Sequence, residues 1–194
     1  NYTYGTNGLK VDIPRIVNYI DKEIMKGDIA EAKLFNPDFI IANMHWGLEY
    51  ERIPSREQRE LADWLLRQGV DLVIGSHPHV VQPMELRRGK EGVTDRLVVY
   101  SLGNFISNMS REHTDGGVMV KVVLGRKGLR RYIISAQYSL IYSSRYKNEQ
   151  GKEDIRVVPA ASWSGKNQNS SFSVDSALIK YCLLYTSPSP RDKR

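Results

Sequence analysis

Three of the chain's four histidines follow two apolar runs, and imidazole is a common nitrogen ligand for zinc, iron and similar ions. His45 follows the run FIIANM, whereas His77 and His79 follow DLVIG in the segment VIGSHPHVVQP. The His-x-His spacing on an irregular turn lets both rings point at a shared centre. We expect Gly75 to allow an unusual backbone angle there, and Pro78 to stiffen the turn. The pattern predicts a metal site with these histidines as ligands.

Each of the two loops also has an ordinary structural explanation. A histidine after a strand is often only a polar cap, and His-Pro-His can simply be a rigid turn. Two such loops at consecutive strand ends favour the metal site, because the carboxyl ends of neighbouring parallel strands open onto one edge where ligands bind. The fourth histidine, His113 in MSREHTDGG, follows no strand and is predicted to be a surface loop residue.

Two further polar residues are candidates for a functional role. Glu49 lies four residues after His45 and is either an acid/base group, a carboxylate that supports a ligand, or a solvated surface residue. Asn104 follows the apolar run VVYSLG and either orients a substrate or ligand, or makes the turn that Gly103 begins. No carboxylate follows a third parallel strand, so the site is either mononuclear and histidine-rich or has its acidic half before Asn1.

The elements that must position these residues change in type along the chain. Apolar periodicity predicts helices over 14–26, 28–35 and 55–68, and strands over 39–42 and 70–75. Ser55 and Gln58 form a capping-box pattern at the start of the third helix, and Gly69 ends it. This strand–helix–strand order indicates a parallel crossover unit. After Pro83 the runs MELRRG, RLVVYSLG, GGVMVKVVLGR, RRYIISAQYSLIY and IRVVPA predict a largely antiparallel half, then a polar loop over 162–171 and a short helix over 174–181.

The composition suits one domain of ordinary size. The 194 residues carry a net charge of +6 without a run of five like charges, so an anionic partner is favoured and nucleic-acid binding is not. No stretch approaches the roughly 20 apolar residues of a membrane span. The terminal segment 182–194, CLLYTSPSPRDKR, is out of character with the rest and resembles adapter read-through, so we expect a non-native tail there.

The segments NMHWGLEY, GVDLVIGSHPHVVQPME and VVYSLGNFISN resemble the bacterial capsule-synthesis CapA family. That family is associated with poly-γ-glutamate and related to calcineurin-like metallophosphoesterases, and the resemblance covers about residues 2–158. It implies an α/β (α+β) fold: an incomplete αββα sandwich of the metallophosphoesterase type, with parallel strands and helices followed by mainly antiparallel strands. The Gly-Asp strand end and the Asn-Asn-His segment of the family's first half are not matched. Residues 1–181 are therefore expected to form the C-terminal portion of a CapA-like domain.

The resemblance also implies roles for individual residues. In the related metallophosphoesterases a lone histidine and a later Gly-x-His-x-His pair bind a two-metal centre, which places His45, His77 and His79 as ligands of divalent ions, two of them in the full-length protein. The same motifs carry Glu49 and Asn104 as catalytic candidates.

Three functions follow from this resemblance. The first is a metal-dependent hydrolase-like protein that acts on an anionic polymer such as poly-γ-glutamate or on a phosphoester, provided that the first half of the domain completes the site. The second is a non-catalytic component that binds or exports polyglutamate. The third is a phosphoesterase without a capsule role, which the motifs HWGLE and SLGNF favour less. The resemblance further implies capsule-synthesis membrane proteins as partners and a location in the cell envelope, extracytoplasmic or membrane-anchored.

Overall fold

Two β-sheets lie face to face, and two helices cover the outer face of the first sheet. The computed structural model describes residues 1–6, 8–12, 16–89, 95–128 and 130–160. The elements in chain order are β1 (Tyr2–Thr3), α1 (Lys22–Leu34), β2 (Ile41–His45), α2 (Arg56–Gln68), β3 (Leu72–Ser76), β4 (Met84–Arg87), β5 (Arg96–Val99), β6 (Gly116–Lys127), β7 (Arg130–Lys147) and β8 (Glu153–Pro159). Among the described residues, no helix combines the length and hydrophobicity needed to cross a membrane. The loop expected over 162–171, the helix over 174–181 and the tail over 182–194 lie outside the described residues.

The first sheet contains the predicted parallel unit, β2–α2–β3, and adds β1, β4 and β5; the strand β5 was expected in the antiparallel half but runs parallel to β3. Its order is β1-β2-β3-β5-β4, in which β1, β2, β3 and β5 run parallel and β4 pairs antiparallel with β5. The helix α2 connects β2 to β3. It begins after Ser55, whose side chain accepts a hydrogen bond from Gln58 in a capping box, and it ends at Gly69, as the sequence predicts. The carboxyl ends of β2, β3 and β5 therefore share one edge of the sheet.

Alternating side chains of the first sheet pack in opposite directions. Val73 packs with Met25 of α1 and Leu65 of α2, and all three side chains are fully buried. Its neighbour Leu72 points the other way and packs with Ile133 of β7. Each such buried side chain stabilises the fold by about 1.5–3 kcal/mol relative to leaving it exposed. The result is a layer of helices on a mostly parallel sheet, which packs against a second sheet.

The second sheet is antiparallel throughout, in the order β6-β7-β8. The β6–β7 hairpin has one irregularity in register, between Val123 and Leu124. The mixed α/β fold class is thus confirmed, with a parallel sheet flanked by helices and a separate antiparallel sheet.

The first helix differs from the sequence prediction. One helix, α1, replaces the two expected over 14–26 and 28–35, and it runs through Gly27. The carboxylate of Asp21 caps this helix by accepting hydrogen bonds from the backbone N–H groups of Glu23 and Ile24. Before the cap the chain is extended and runs beside β1, where the N–H of Ile20 donates to the carbonyl of Thr3 (2.9 Å). The prediction of a helix at residues 16–21 was therefore wrong.

Candidate metal centre

Backbone hydrogen bonds join the three loops that follow β2, β3 and β5. The N–H of Tyr50 donates to the carbonyl of Pro78 (2.8 Å), which ties the first loop to the second. The N–H of Leu102 donates to the carbonyl of Gly75 (3.0 Å), which ties the third loop to the end of β3. The loops that carry the predicted site residues are thus held against one another by the main chain.

Glu49, His77 and His79 form a compact group at this edge. One potential ligand atom from each residue lies within 4.8 Å of those of the other two. The Nε2 atom of His79 is 4.0 Å from a carboxylate oxygen of Glu49. His77 is buried, His79 is half-buried and Glu49 is exposed, so the group opens to solvent on its carboxylate side. Two imidazoles and a carboxylate suit a divalent transition metal such as zinc, and a site with three protein ligands leaves a position for water or substrate.

His45 lies beside this group without being part of it. It ends β2, and its ring centroid is 4.6 Å from that of His77. The His45 ring also stacks parallel to Tyr4, with 5.9 Å between centroids, and the Tyr4 ring is 4.6 Å from that of His77, so the three rings form a cluster. The structure therefore brings the three predicted histidines together: the ring centroid of His77 is 4.6 Å from that of His45 and 6.0 Å from that of His79, and Glu49 lies beside His77 and His79.

Burial favours the neutral form of two of these imidazoles. Burial, followed by the charge of His79, lowers the pKa of His45 below 6.5. Burial also lowers the pKa of His77, with further lowering by His45 and His79 and an opposing effect of Glu49. Neutral imidazole is the form that binds a metal ion, so the environment of these residues fits that role.

Asn104 fixes the orientation of the His79 ring. Its Oδ1 atom lies 3.0 Å from Nδ1 of His79, and its Nδ2 atom donates to the carbonyl of the fully buried Thr114 (2.8 Å). Because the amide nitrogen is used by Thr114, its oxygen faces the imidazole and accepts the proton of Nδ1. The lone pair of His79 is then on Nε2, the atom that faces Glu49. Asn104 is therefore placed to orient a candidate ligand, which is one of the alternatives that the sequence left open for it.

The turn that carries the two histidines is strained, although not at the expected residue. His77 and His79 themselves have positive φ angles of 101° and 61°, which are uncommon for residues with a side chain. Gly75 has no positive φ, so the expected role of an unusual backbone angle was wrong. A Cβ atom at Gly75 would lie 2.0 Å from the carbonyl oxygen of Tyr100 and 2.5 Å from the indole nitrogen of Trp46. Gly75 is needed because two other parts of the chain approach it closely.

A buried amide pair supports the loop that carries Glu49. The side chain of Gln58, at the start of α2, donates to Gln82 (2.9 Å), and Gln82 in turn donates to the carbonyl of Glu51 (2.7 Å). Both glutamines are only 2% exposed. From the sequence, Gln58 was predicted only as part of the helix cap and Gln82 had no predicted role, because nothing in the local pattern shows that the two side chains meet.

The third loop is joined directly to the second sheet. The N–H of Asn104 donates to the carbonyl of Gly116 (3.0 Å), and the N–H of Val118 donates to the carbonyl of Leu102 (2.8 Å). Between these bonds, a Cβ atom at Gly117 would lie only 2.5 Å from the carbonyl oxygen of Asn104. The first residues of β6 are therefore in direct contact with the backbone of the loop that carries Asn104.

Three other residues near the centre complete the description. His113 lies in the loop predicted for it, with a side chain only 23% exposed, and it does not belong to the ligand group. Tyr50 stacks on His79 with 6.1 Å between ring centroids, and the guanidinium carbon of Arg111 lies 3.9 Å from the centre of the Tyr50 ring. The sequence analysis missed Tyr50 and Arg111. The position of Tyr50 directly after Glu49 was the one available signal.

Comparison with known proteins finds relatives named for capsule synthesis. The sequence profile of the family described as bacterial capsule synthesis protein PGA_cap matches residues 2–109, which include all five predicted site residues. The chain is 34% identical over 115 residues to the PGA biosynthesis protein CapA of Bacillus subtilis (strain 168), which covers 59% of this chain and 28% of that protein. It is 35% identical over 107 residues to the capsule biosynthesis protein CapA of Bacillus anthracis, which covers 55% of this chain and 24% of that protein. The aligned region spans about a quarter of the length of these curated relatives. Because the profile matches more than half of the 194 residues, the chain belongs to the bacterial capsule synthesis family PGA_cap.

Proposed function

We propose that this chain carries part of the metal site of a hydrolase that acts on an anionic polymer or a phosphoester during capsule synthesis. The observation that supports the proposal most is the convergence of Glu49, His77 and His79 at the carboxyl edge of a parallel sheet. The relatives are named for PGA and capsule biosynthesis, which supports poly-γ-glutamate as the polymer and the cell envelope as the location.

The residues present fit a divalent metal ion. His77 and His79 would bind it through imidazole nitrogens, and Glu49 through its carboxylate. We favour a ligand role for Glu49 over an acid/base role, because a carboxylate oxygen lies within 4.8 Å of a ring nitrogen of each imidazole, close enough for all three to bind one ion. A bound ion of this kind polarises an oxygen of the substrate and lowers the pKa of a coordinated water. His45 would extend the site beyond His77, where a second ion of the complete protein would bind.

The chain's own residues have three tasks in this proposal. His77 holds a neutral imidazole in a buried position beside the other two candidate ligands. Asn104 keeps the proton of His79 on Nδ1, so that Nε2 is free to bind. Glu49 supplies the negative charge that partly neutralises the ion at the open side of the site.

Two histidines of this chain provide a matched test. His79 and His113 have similar backbone angles, with φ of 61° and 68°, and asparagine tolerates this region well. We expect His79→Asn to weaken the binding of Mn²⁺ or Zn²⁺ by more than tenfold in titration calorimetry, because it removes a ligand. His113→Asn should leave the affinity unchanged. Equal metal affinity in parent and His79→Asn would refute the site.

Turnover is tested separately from metal binding. We expect metal-dependent hydrolysis of bis(p-nitrophenyl) phosphate or shortening of poly-γ-glutamate by the protein with its complete domain, and loss of both in His79→Asn. Retained polymer binding without hydrolysis in parent and variant would instead support the alternative, a non-catalytic polyglutamate-binding or export component. The exposed cation Arg111 beside the site favours that alternative as much as it favours an enzyme.

A further inference from the structure

A stack of three side chains leads outward from the candidate metal centre. The ring of Tyr50 lies on His79 with an interplanar angle of 28°, and the guanidinium of Arg111 lies on the ring of Tyr50. Arg111 is exposed, whereas Tyr50 and His79 are half-buried. The stack thus connects a group of metal-ligand type to a cation at the protein surface.

The backbone holds Tyr50 in this position at a conformational cost. Its φ angle is 69°, which is rare for a bulky residue and costs on the order of 1–3 kcal/mol. The hydrogen bond from its N–H to the carbonyl of Pro78 fixes it against the turn that carries His79. Strain of this kind persists only where surrounding contacts enforce it, and it clusters at functional sites.

The turn that carries Arg111 is the same turn that orients the histidine. The carbonyl of Arg111 accepts hydrogen bonds from the N–H (3.1 Å) and the hydroxyl (2.7 Å) of Thr114. The carbonyl of Thr114 in turn accepts the hydrogen bond from Asn104. Arg145 of β7 donates to the carbonyl of Asn108 and pins the preceding part of the loop. The start of the Arg111 side chain is therefore placed relative to His79 by a short series of hydrogen bonds.

The guanidinium has no carboxylate partner within the described part of the chain. Its flat face is used by Tyr50, which leaves its N–H edges for a ligand. The stack therefore leaves an exposed cation beside the candidate metal centre, with N–H groups available to an incoming anion.

We propose that Arg111 binds an oxyanion group of the substrate, a carboxylate or a phosphate, beside His79. The planar fork of a guanidinium matches the two oxygens of either group and binds them through two parallel hydrogen bonds. The description of this ligand as a substrate rests on the proposed function, whereas the anion contact itself does not. Tyr50 is then a positioning residue that keeps the guanidinium flat and aimed at the site.

The test compares two anions and three arginine variants in the full chain. Inorganic phosphate and a γ-linked glutamate trimer are titrated into the chain with and without Mn²⁺, for the parent, Arg111→Gln and Arg111→Lys. The control is Arg130→Gln, an exposed arginine at the far end of the β6–β7 hairpin, roughly 40 Å along the strand from Gly116. Circular dichroism verifies that each variant is folded.

We expect Arg111→Gln to weaken anion binding by about 10- to 100-fold, as for loss of a charged hydrogen-bond donor. The anion affinity of Arg111→Lys should lie between those of Arg111→Gln and the parent, and the affinity of Arg130→Gln should equal that of the parent. Loss confined to the trimer assigns a carboxylate, and loss confined to phosphate assigns a phosphate. Mn²⁺ affinity should be the same in all four proteins.

Two outcomes separate this inference from the proposed function. If the parent binds neither anion, or if Arg111→Gln binds them as tightly as Arg130→Gln does, Arg111 has no such role. If the parent binds no metal but Arg111→Gln still loses anion binding, the metal centre is refuted and the anion site stands. A Tyr50→Leu variant adds a second check, because removing the ring should weaken anion binding while the positive charge remains.

Discussion

Replacement of Asn104 by leucine or aspartate tests whether this residue controls His79. Leucine has about the same volume but neither accepts from Nδ1 of His79 nor donates to the carbonyl of Thr114. Aspartate still accepts from Nδ1 but cannot donate to that carbonyl. The two variants therefore separate the effect of the contact with His79 from that of the contact with Thr114.

The expected magnitudes follow from these two contacts. Loss of a hydrogen-bond partner behind a metal-binding histidine lowers metal affinity by about 10- to 100-fold, or about 1.4–2.7 kcal/mol. Loss of the donor to a buried carbonyl lowers the free energy of unfolding by about 1–3 kcal/mol, since Thr114 is fully buried. Asn104→Leu should show both effects. Asn104→Asp should show the loss of stability with metal affinity close to that of the parent.

Two measurements on each protein decide the matter. Titration calorimetry with Mn²⁺ gives the metal affinity, and urea denaturation without metal gives the free energy of unfolding. If folded Asn104→Leu bound Mn²⁺ within about twofold of the parent, Asn104 would not orient His79, and the argument from tautomer and ring position would fail. Equal loss of affinity in both variants would mean that the contact with Thr114, rather than the acceptor for Nδ1, matters.

Three further predictions concern the fold. Gly75→Ala should destabilise the chain by about 3 kcal/mol or more in urea denaturation, because the new methyl group would lie 2.0 Å from the carbonyl oxygen of Tyr100; a midpoint equal to that of the parent would show that the contact is easily relieved. The metal-free chain should lose stability as the pH falls below 6.5. The pKa values of His45 and His77 are lowered in the folded chain, so the unfolded chain binds protons at these histidines at higher pH than the folded chain does. Equal urea midpoints at pH 7.5 and 5.5 would contradict this. Asp95→Ala should cost about 2–4 kcal/mol by the same measurement, because its buried carboxylate accepts from two backbone N–H groups and one guanidinium; a change below about 0.5 kcal/mol would mean that water replaces these bonds.

The position of the histidine loops could be predicted because it depends on a strong regularity. Apolar runs of strand length that flank a capped helix form a parallel unit, and the carboxyl ends of such strands share an edge. This reasoning placed His45, His77 and His79 together before any distance was known. It also located α2 correctly, because Ser55 and Gly69 are strong signals for the ends of a helix.

Other features depend on contacts between distant residues and left no local pattern. Apolar spacing predicted a helix at residues 16–21, but backbone pairing of this segment with Thr3 of β1 overrides its helical propensity. Asn104 lies at the sheet edge where the sequence predicted it. Its hydrogen bond to Thr114 could not be predicted, because Thr114 approaches Asn104 only through the packing of β6. Arg111 was missed for the same reason: its stack on Tyr50 is set by the fold of a loop that has no periodicity.

The close approach of Gly117 to the backbone of Asn104 has a consequence for variation of this protein. There is no room for a side chain at that crossing, so even a methyl group must push the second sheet away from the loop that carries Asn104, the residue that contacts His79. A random-substitution screen for loss of metal binding should therefore recover changes at Gly117 alongside those at the ligands themselves. Under the proposed function, changes of substrate preference are possible on the solvent side, at Arg111 and its neighbours, whereas the contact between the sheets at Gly117 leaves no room for a side chain.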